Sequence, residues 1–188
     1  MKIVKGIVLS LCALSLTGCA GLFVAGAATT ASIVIDPRTT QEIWNDNSIE
    51  LEVAGIANKA PFYGNARVSA SSYNGTVVLI GQASTEQLKR DVESRVRDIK
   101  GVDQVHNQLR VKPPLSVGQI SQDSWITTKV KSALLANSEL SSIKIKVITE
   151  DREVFLLGYV SQQHADIATD IARNISGVKQ VVRAFYQE

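Results

Sequence analysis

Two stretches of the chain repeat one order of apolar and polar positions. Ile49, Val53, Ile56 and Ala57 recur at helical spacing, as do Ile126, Val130, Ala133 and Leu134. Each set places one apolar stripe along a helix. Ser48, and Asp123 or Ser124, are the expected N-caps, since a short polar side chain can accept from the first free amides. Two strand patterns follow each helix. In the first stretch they cover 66–71 and 76–80 and meet through Asn74-Gly75, a pair that accepts the positive φ angles of a tight hairpin. In the second they cover 143–149 and 153–157 and meet through Glu150-Asp151-Arg152. A second helix is expected after Gly81 or Gly158, capped by Ser84 or Ser161. It carries Leu88, Val92, Val96 and Ile99, or Ala165, Ala168, Ile171, Ala172 and Ile175. Gly101 and Gly177 stand where a C′ glycine ends a helix, and a last strand is expected over 104–111 or 180–185.

The two stretches are an internal repeat. Residues 47–49 align with 123–125 at an offset of 76, 77–81 with 154–158 at 77, and 99–105 with 175–181 at 76. The changing offset implies one insertion and one deletion in loops. The fold class expected is α+β. It comprises two tandem domains, each an αββαβ sandwich with two helices packed on one face of a three-stranded mixed sheet. The domains are placed at 46–112 and 123–188, with 113–122, which opens on Pro113-Pro114, as linker. Gly81 and Gly158 are expected to serve backbone conformation or close packing rather than phosphate binding.

Ahead of the repeat, residues 1–18 have a basic start at Lys2 and Lys5 and an apolar run over 7–16. That is the pattern of a secretory signal. Leu16-Thr17-Gly18-Cys19 resembles the lipobox of bacterial lipoproteins. The resemblance implies cleavage before Cys19 and acylation of Cys19, and Ala20 in place of Asp implies the outer membrane. A plain secretory signal that contains Cys19 is the other reading. Residues 19–45 are expected to form a tether; its apolar part, 20–35, is shorter than the roughly 20 residues a spanning helix needs.

Charge and cysteine content narrow the function. The formal charge of +2 comes from 20 basic and 18 acidic side chains. Lys2 and Lys5 leave with the signal, so the remainder is balanced and carries no basic footprint for nucleic acid. Cys12 also leaves, and Cys19 is then the only thiol, which excludes an internal disulfide or a CxxC site. His106 and His164 have no second ligand at metal spacing. Ser161, His164 and Asp166 are expected to be a helix cap and solvated side chains rather than a catalytic set. No catalytic residue, metal or cofactor is expected.

The first helix of the second repeat carries a second stripe, with Trp125, Thr128, Ser132 and Leu135 beside the core stripe and Lys129 and Lys131 flanking it. An indole suits the boundary of water and lipid, and lysines suit anionic head groups. In the alignment at offset 76, Ile49, Glu52 and Gly55 replace Trp125, Thr128 and Lys131, so the first domain looks less suited to lipid. The alternative is that Trp125 and Leu135 pack on the other repeat.

The strands with Gly81 or Gly158, the helices ending in Gly101-Val102 or Gly177-Val178, and the closing strands together resemble the BON domain. Two such repeats behind a lipobox, with the 123–130 stretch, resemble the dual-BON outer-membrane lipoproteins. That resemblance implies a lipid-anchored, periplasm-facing, non-enzymatic protein that supports outer-membrane integrity. It implies anionic phospholipid as the partner of the second domain. The same face could instead dock a protein of the outer-membrane assembly machinery.

Overall fold

The computed structural model describes Asp36 and residues 38–187. The signal segment, Cys19 and the tether up to residue 35 lie outside them. Two copies of one α+β unit follow each other. The first comprises helix α1 (Thr40–Ala57), strands β1 (Ala66–Tyr73) and β2 (Thr76–Ala83), helix α2 (Glu86–Arg97), and strands β3 (Gln104–Asn107) and β4 (Arg110–Val111). The second comprises helix α3 (Val117–Ala136), strands β5 (Lys146–Glu150) and β6 (Glu153–Val160), helix α4 (Gln162–Arg173) and strand β7 (Gln180–Gln187). In each sheet the middle strand pairs antiparallel with the strand before it and parallel with the strand after the helix. The helix supplies the crossover that a parallel pair needs. No helix among the described residues is long and apolar enough to cross a membrane.

Several boundaries differ from the expected ones. Both first helices start earlier. Thr39 and Ser116 are the N-caps, each in a capping box with Glu42 or Gln119. The leading turns bury nothing until Asp46 and Asp123, so the apolar stripe marks only the half of each helix that meets the sheet. The expected linker therefore shrinks, because 117–122 are helical, and buried Leu115 fixes what remains. Thr85, not Ser84, caps α2, whereas Ser161 does cap α4. These helices end at Arg97 and Arg173. Ile99 and Ile175 add one tighter turn by donating to Val96 and Ala172, and only then do Gly101 and Gly177 redirect the chain. The single strand expected over 104–111 is split in two, with Leu109 N donating to the Asn107 side chain and Leu109 itself buried.

Gly81 and Gly158 lie inside their strands rather than at the ends. Gly81 has φ +138° and Gly158 φ +153°, and a Cβ on either would stand 2.0 Å from the carbonyl oxygen of Arg67 on β1 or 2.6 Å from that of Lys144 just ahead of β5. Only a residue without Cβ fits there.

Three apolar cores hold the body together. Ile49, Val53, Val77, Leu79, Val92 and Val96 fill the space between the first sheet and its helices. Ile126, Val130, Leu134, Val154, Leu156 and Ala168 do the same in the second domain. Val78 and Ile80 meet Phe155 and Leu157 in the third, flanked by Ile148, Val182 and Ala184. That core joins the two sheets face to face, so the layers run helices, sheet, sheet, helices.

Polar contacts frame the third core. Glu150 is buried, and its Oε1 accepts from Arg67 Nε at 2.9 Å and Gln82 Nε2 at 3.1 Å. Arg110 pairs with Glu153 at 2.9 Å, and Lys112 pairs with Asp151. Elsewhere Lys146 reaches Glu50 at 2.7 Å and Lys144 reaches Asp36 at 2.8 Å. Arg38 contacts Asp36 and Asp46 and lies 4.3 Å over the Tyr73 ring, which stacks on Tyr186 at 4.5 Å.

The packing at the glycines can be tested directly. Gly81→Ala should lower stability by about 3 kcal/mol through strain and clash. Gly101→Ala, whose new Cβ meets nothing nearer than 3.8 Å, should cost only about 1 kcal/mol for its left-handed backbone. Urea unfolding of both variants checks the order. A second test concerns pH. Burial pushes the Glu150 carboxyl above its ordinary 4.5, against the pull of Arg67. The folded chain then holds that proton more tightly than the unfolded one, so this group adds stability as pH falls from its folded value towards 4.5 and adds no more below. Glu150→Gln should remove that rise, which melts of variant and parent across this range would measure.

Candidate functional site

Each first helix is fixed by one buried carboxylate. Asp123 Oδ2 accepts from Asp151 N at 2.7 Å and Oδ1 from Arg152 N at 2.8 Å. Asp46 accepts from Asn74 N at 2.9 Å, Gly75 N at 3.2 Å, Ser72 Oγ at 2.6 Å and Arg38 at 2.8 Å. Asn74, Gly75, Asp151 and Arg152 all have positive φ, the geometry of a type I′ hairpin turn. Such a turn leaves amides unpaired at its tip, and the carboxylate takes two of them. Burial raises the Asp46 carboxyl, but the bonds from Ser72, Asn74, Gly75 and Arg38 outweigh it, and the net direction is downward.

These aspartates correct the alignment of the repeats. Asp46 and Asp123 stand 77 positions apart, as do the caps Thr39 and Ser116, the core residues Ile49 and Ile126, and Gly81 and Gly158. The offset is 76 from the caps Thr85 and Ser161 to Gly101 and Gly177. One single-residue difference, between the middle strand and the second helix, accounts for the change. Ser48, not Ile49, is therefore the counterpart of Trp125, because Ile49 lies in the core. Leu51 answers to Thr128, Glu52 to Lys129, Ala54 to Lys131 and Gly55 to Ser132. The signal for this register is the spacing Asp-x-x-Ile-x-x-x-Val, present in both repeats.

The clasp also sets which way α3 faces. Residues two apart on a helix are separated by about 200°, so Asp123 inside puts Trp125 outside. Trp125 is 65% exposed and Leu135 66%, and neither packs on the first domain. Thr128, Lys131 and Ser132 are exposed with them, and Val117 extends the same side towards the start of α3. Thr128 turns its hydroxyl back onto the Ser124 carbonyl at 3.0 Å. Lys129 borders the stripe, half-buried, and donates to the Ser176 carbonyl. Lys131 is the lysine whose ammonium stays at the surface.

The remaining candidates fall to structural roles. Ser161 Oγ lies 3.0 Å from His164 Nδ1 at the helix cap, while Asp166 pairs with Arg183 at 2.7 Å. His106 is exposed on β3. No group of three His, Cys, Asp or Glu among the described residues is placed to hold a metal.

The BON domain family model matches residues 45–113 and 122–185. The chain is 42% identical to the outer membrane lipoprotein DolP of Haemophilus influenzae over 90% of its own length and 89% of that protein. It is 42% identical to the 21 kDa hemolysin of Actinobacillus pleuropneumoniae, over 79% of this chain and 77% of that one. Osmotically-inducible protein Y of Escherichia coli is 31% identical over 61% of this chain and 58% of its own. The two matched segments coincide with the two units that share a hairpin clasp and a strand glycine, and on these grounds the chain belongs to the BON-domain family, with two copies of the domain.

Proposed function

We propose that this protein is a non-enzymatic, lipid-anchored component of the outer membrane that faces the periplasm. In this reading it binds anionic phospholipid through the outer face of α3 and supports outer-membrane integrity. The observation that carries the reading is the exposure of Trp125 and Leu135 on the helix side opposite the Asp123 clasp. Thr128 and Ser132 lie along the same side, and Lys129 and Lys131 border it on either hand. The name of the Haemophilus influenzae relative and the Leu16–Cys19 motif support the location.

The physical account has two parts. Acyl chains on Cys19 hold the protein at the bilayer, each buried methylene contributing about 0.8 kcal/mol. The α3 face then meets head groups at high local concentration. Trp125 places an amphipathic ring at the interface, and a lysine near an anionic surface adds about 1 kcal/mol. Lys131 supplies that charge directly. Lys129 must leave the Ser176 carbonyl to do so, or else acts from where it is through its field.

Trp125→Glu should abolish binding to phosphatidylglycerol vesicles and leave the melt unchanged. Trp125 stands in the third turn of α3, away from the helix end, and its exposure means Glu there buries no charge. Undiminished vesicle binding would sink the lipid reading, and the face would then belong to a protein partner. Cys19→Ala should shift the protein out of the outer-membrane fraction or leave it uncleaved, which fractionation and mass measurement report.

A further inference from the structure

Three cations of the second domain meet beside the α3 stripe. Lys129 stands one turn after Trp125 and donates to the Ser176 carbonyl. Arg152, in the turn between β5 and β6, donates from Nε to the Gly177 carbonyl at 2.9 Å. Lys179 ends that same segment, and its amide donates to the Arg152 carbonyl at 2.8 Å. Residues 176–179 therefore gather all three. The segment lies against α3 at Ile126, whose Cδ1 would stand 3.2 Å from a Cβ on Gly177. Ile126 and Lys129 lie on one hand of Trp125, about 100° and 40° round the helix. The patch flanks the stripe on that hand.

Ion pairs do not cancel this charge. Lys129 and Arg152 rest on main-chain carbonyls and pair with no carboxylate among the described residues. Arg152 keeps both terminal nitrogens for a ligand, the fork that takes two oxygens of one phosphate. Lys179, its side chain 58% exposed, comes only within 4.0 Å of Glu153, which Arg110 holds at 2.9 Å. Asp151 is paired with Lys112, and Asp170 with Arg173. The three cations therefore stand over one remaining carboxylate, Asp123, which is buried and engaged by the turn amides. The first domain repeats this backbone with the charge reversed. Glu52 answers to Lys129, Gly75 to Arg152 and Asp103 to Lys179, while Lys100 replaces Ser176. Asp103 N donates to the Gly75 carbonyl at 2.9 Å, as Lys179 N does to that of Arg152. The fold thus forms without the cations.

We propose that Lys129, Arg152 and Lys179 form the site for the phosphate of an anionic phospholipid whose apolar part meets Trp125. The inference rests on the lipid reading of the α3 face and extends it, because it assigns the head group to two residues outside α3. Arg152 takes the phosphate oxygens with its fork, and the lysines on either side add charge.

Co-sedimentation of the full chain with phosphatidylglycerol vesicles tests the proposal. Arg152→Gln and Lys179→Gln should each weaken binding about fivefold, and the double variant more than either. Arg152→Lys keeps the charge but loses the fork, and should weaken binding by about twofold or more. Lys59→Gln removes the same charge from an exposed place in the first domain and should leave binding unchanged. A melt confirms that each variant folds, and Lys179→Gln gives up only the 4.0 Å contact with Glu153. Losses in the Arg152 and Lys179 variants no larger than in Lys59→Gln overturn the proposal. If Trp125→Glu still abolishes binding in that case, the lipid reading stands and only the phosphate site falls. Failure of the parent chain to bind vesicles overturns both. Inorganic phosphate alone should not bind saturably in a calorimetric titration, since it brings no apolar part for Trp125. Saturable phosphate binding that Arg152→Gln removes, with vesicle binding unaltered, assigns the patch to a soluble anion and also overturns the proposal.

Discussion

The central strands β2 and β6 are buried on both faces, and the arrangement of everything else depends on this. Val77 and Leu79 point towards α1 and α2, while Val78 and Ile80 point towards the other sheet. Val154 and Leu156, and Phe155 and Leu157, divide in the same way. Each such side chain gains roughly 2 kcal/mol by leaving water. A single domain with its helices on one face would leave the second set exposed. The duplication resolves this by giving each sheet the other as its cover, and it leaves the outer sides of α1 and α3 as the surfaces free for other uses.

Those outer sides are oriented from within. A helix packed only by an apolar stripe can rotate by some tens of degrees at little cost, because apolar contacts have no direction. Asp46 and Asp123 remove that freedom, since a carboxylate that accepts from two hairpin amides tolerates little displacement. The hairpin turns, both with two positive φ angles, are in turn held by the helices. Core and surface are thus set by the same bond. The polar chemistry at 46 and 123 decides the rotational position of side chains two and five residues further on.

Much of this is legible in the order of residues, and the failures have physical causes. The element order, the hairpins and the core stripes all follow from periodicity. The helix starts do not, because the leading turns of α1 and α3 bury no apolar side chain and so leave no period to read; the capping boxes at Thr39 and Ser116 are the available signal. The offset of 76 in the first helix rests on matching Ser48 to Ser124, two exposed residues with no packing duty, instead of Asp46 to Asp123. The contact between sheets is visible as unbroken apolar runs at 77–80 and 154–157, which mark strands covered on both sides. The exposure of Trp125 is not legible, because periodicity gives a face without saying what covers it.

Arg38 has a mechanical consequence. It pairs with Asp46 in the first domain and lies on Tyr73, which stacks on Tyr186 of the second, while Asp36 beside it holds Lys144. A load applied to the chain just ahead of this point is therefore taken up by both domains at once. To peel α1 away from its N-terminus, such a load must first break ion pairs with partners in separate domains, Asp46 in the first and Lys144 in the second. The fastening acts in shear, where several bonds resist together, rather than one after another as in unzipping.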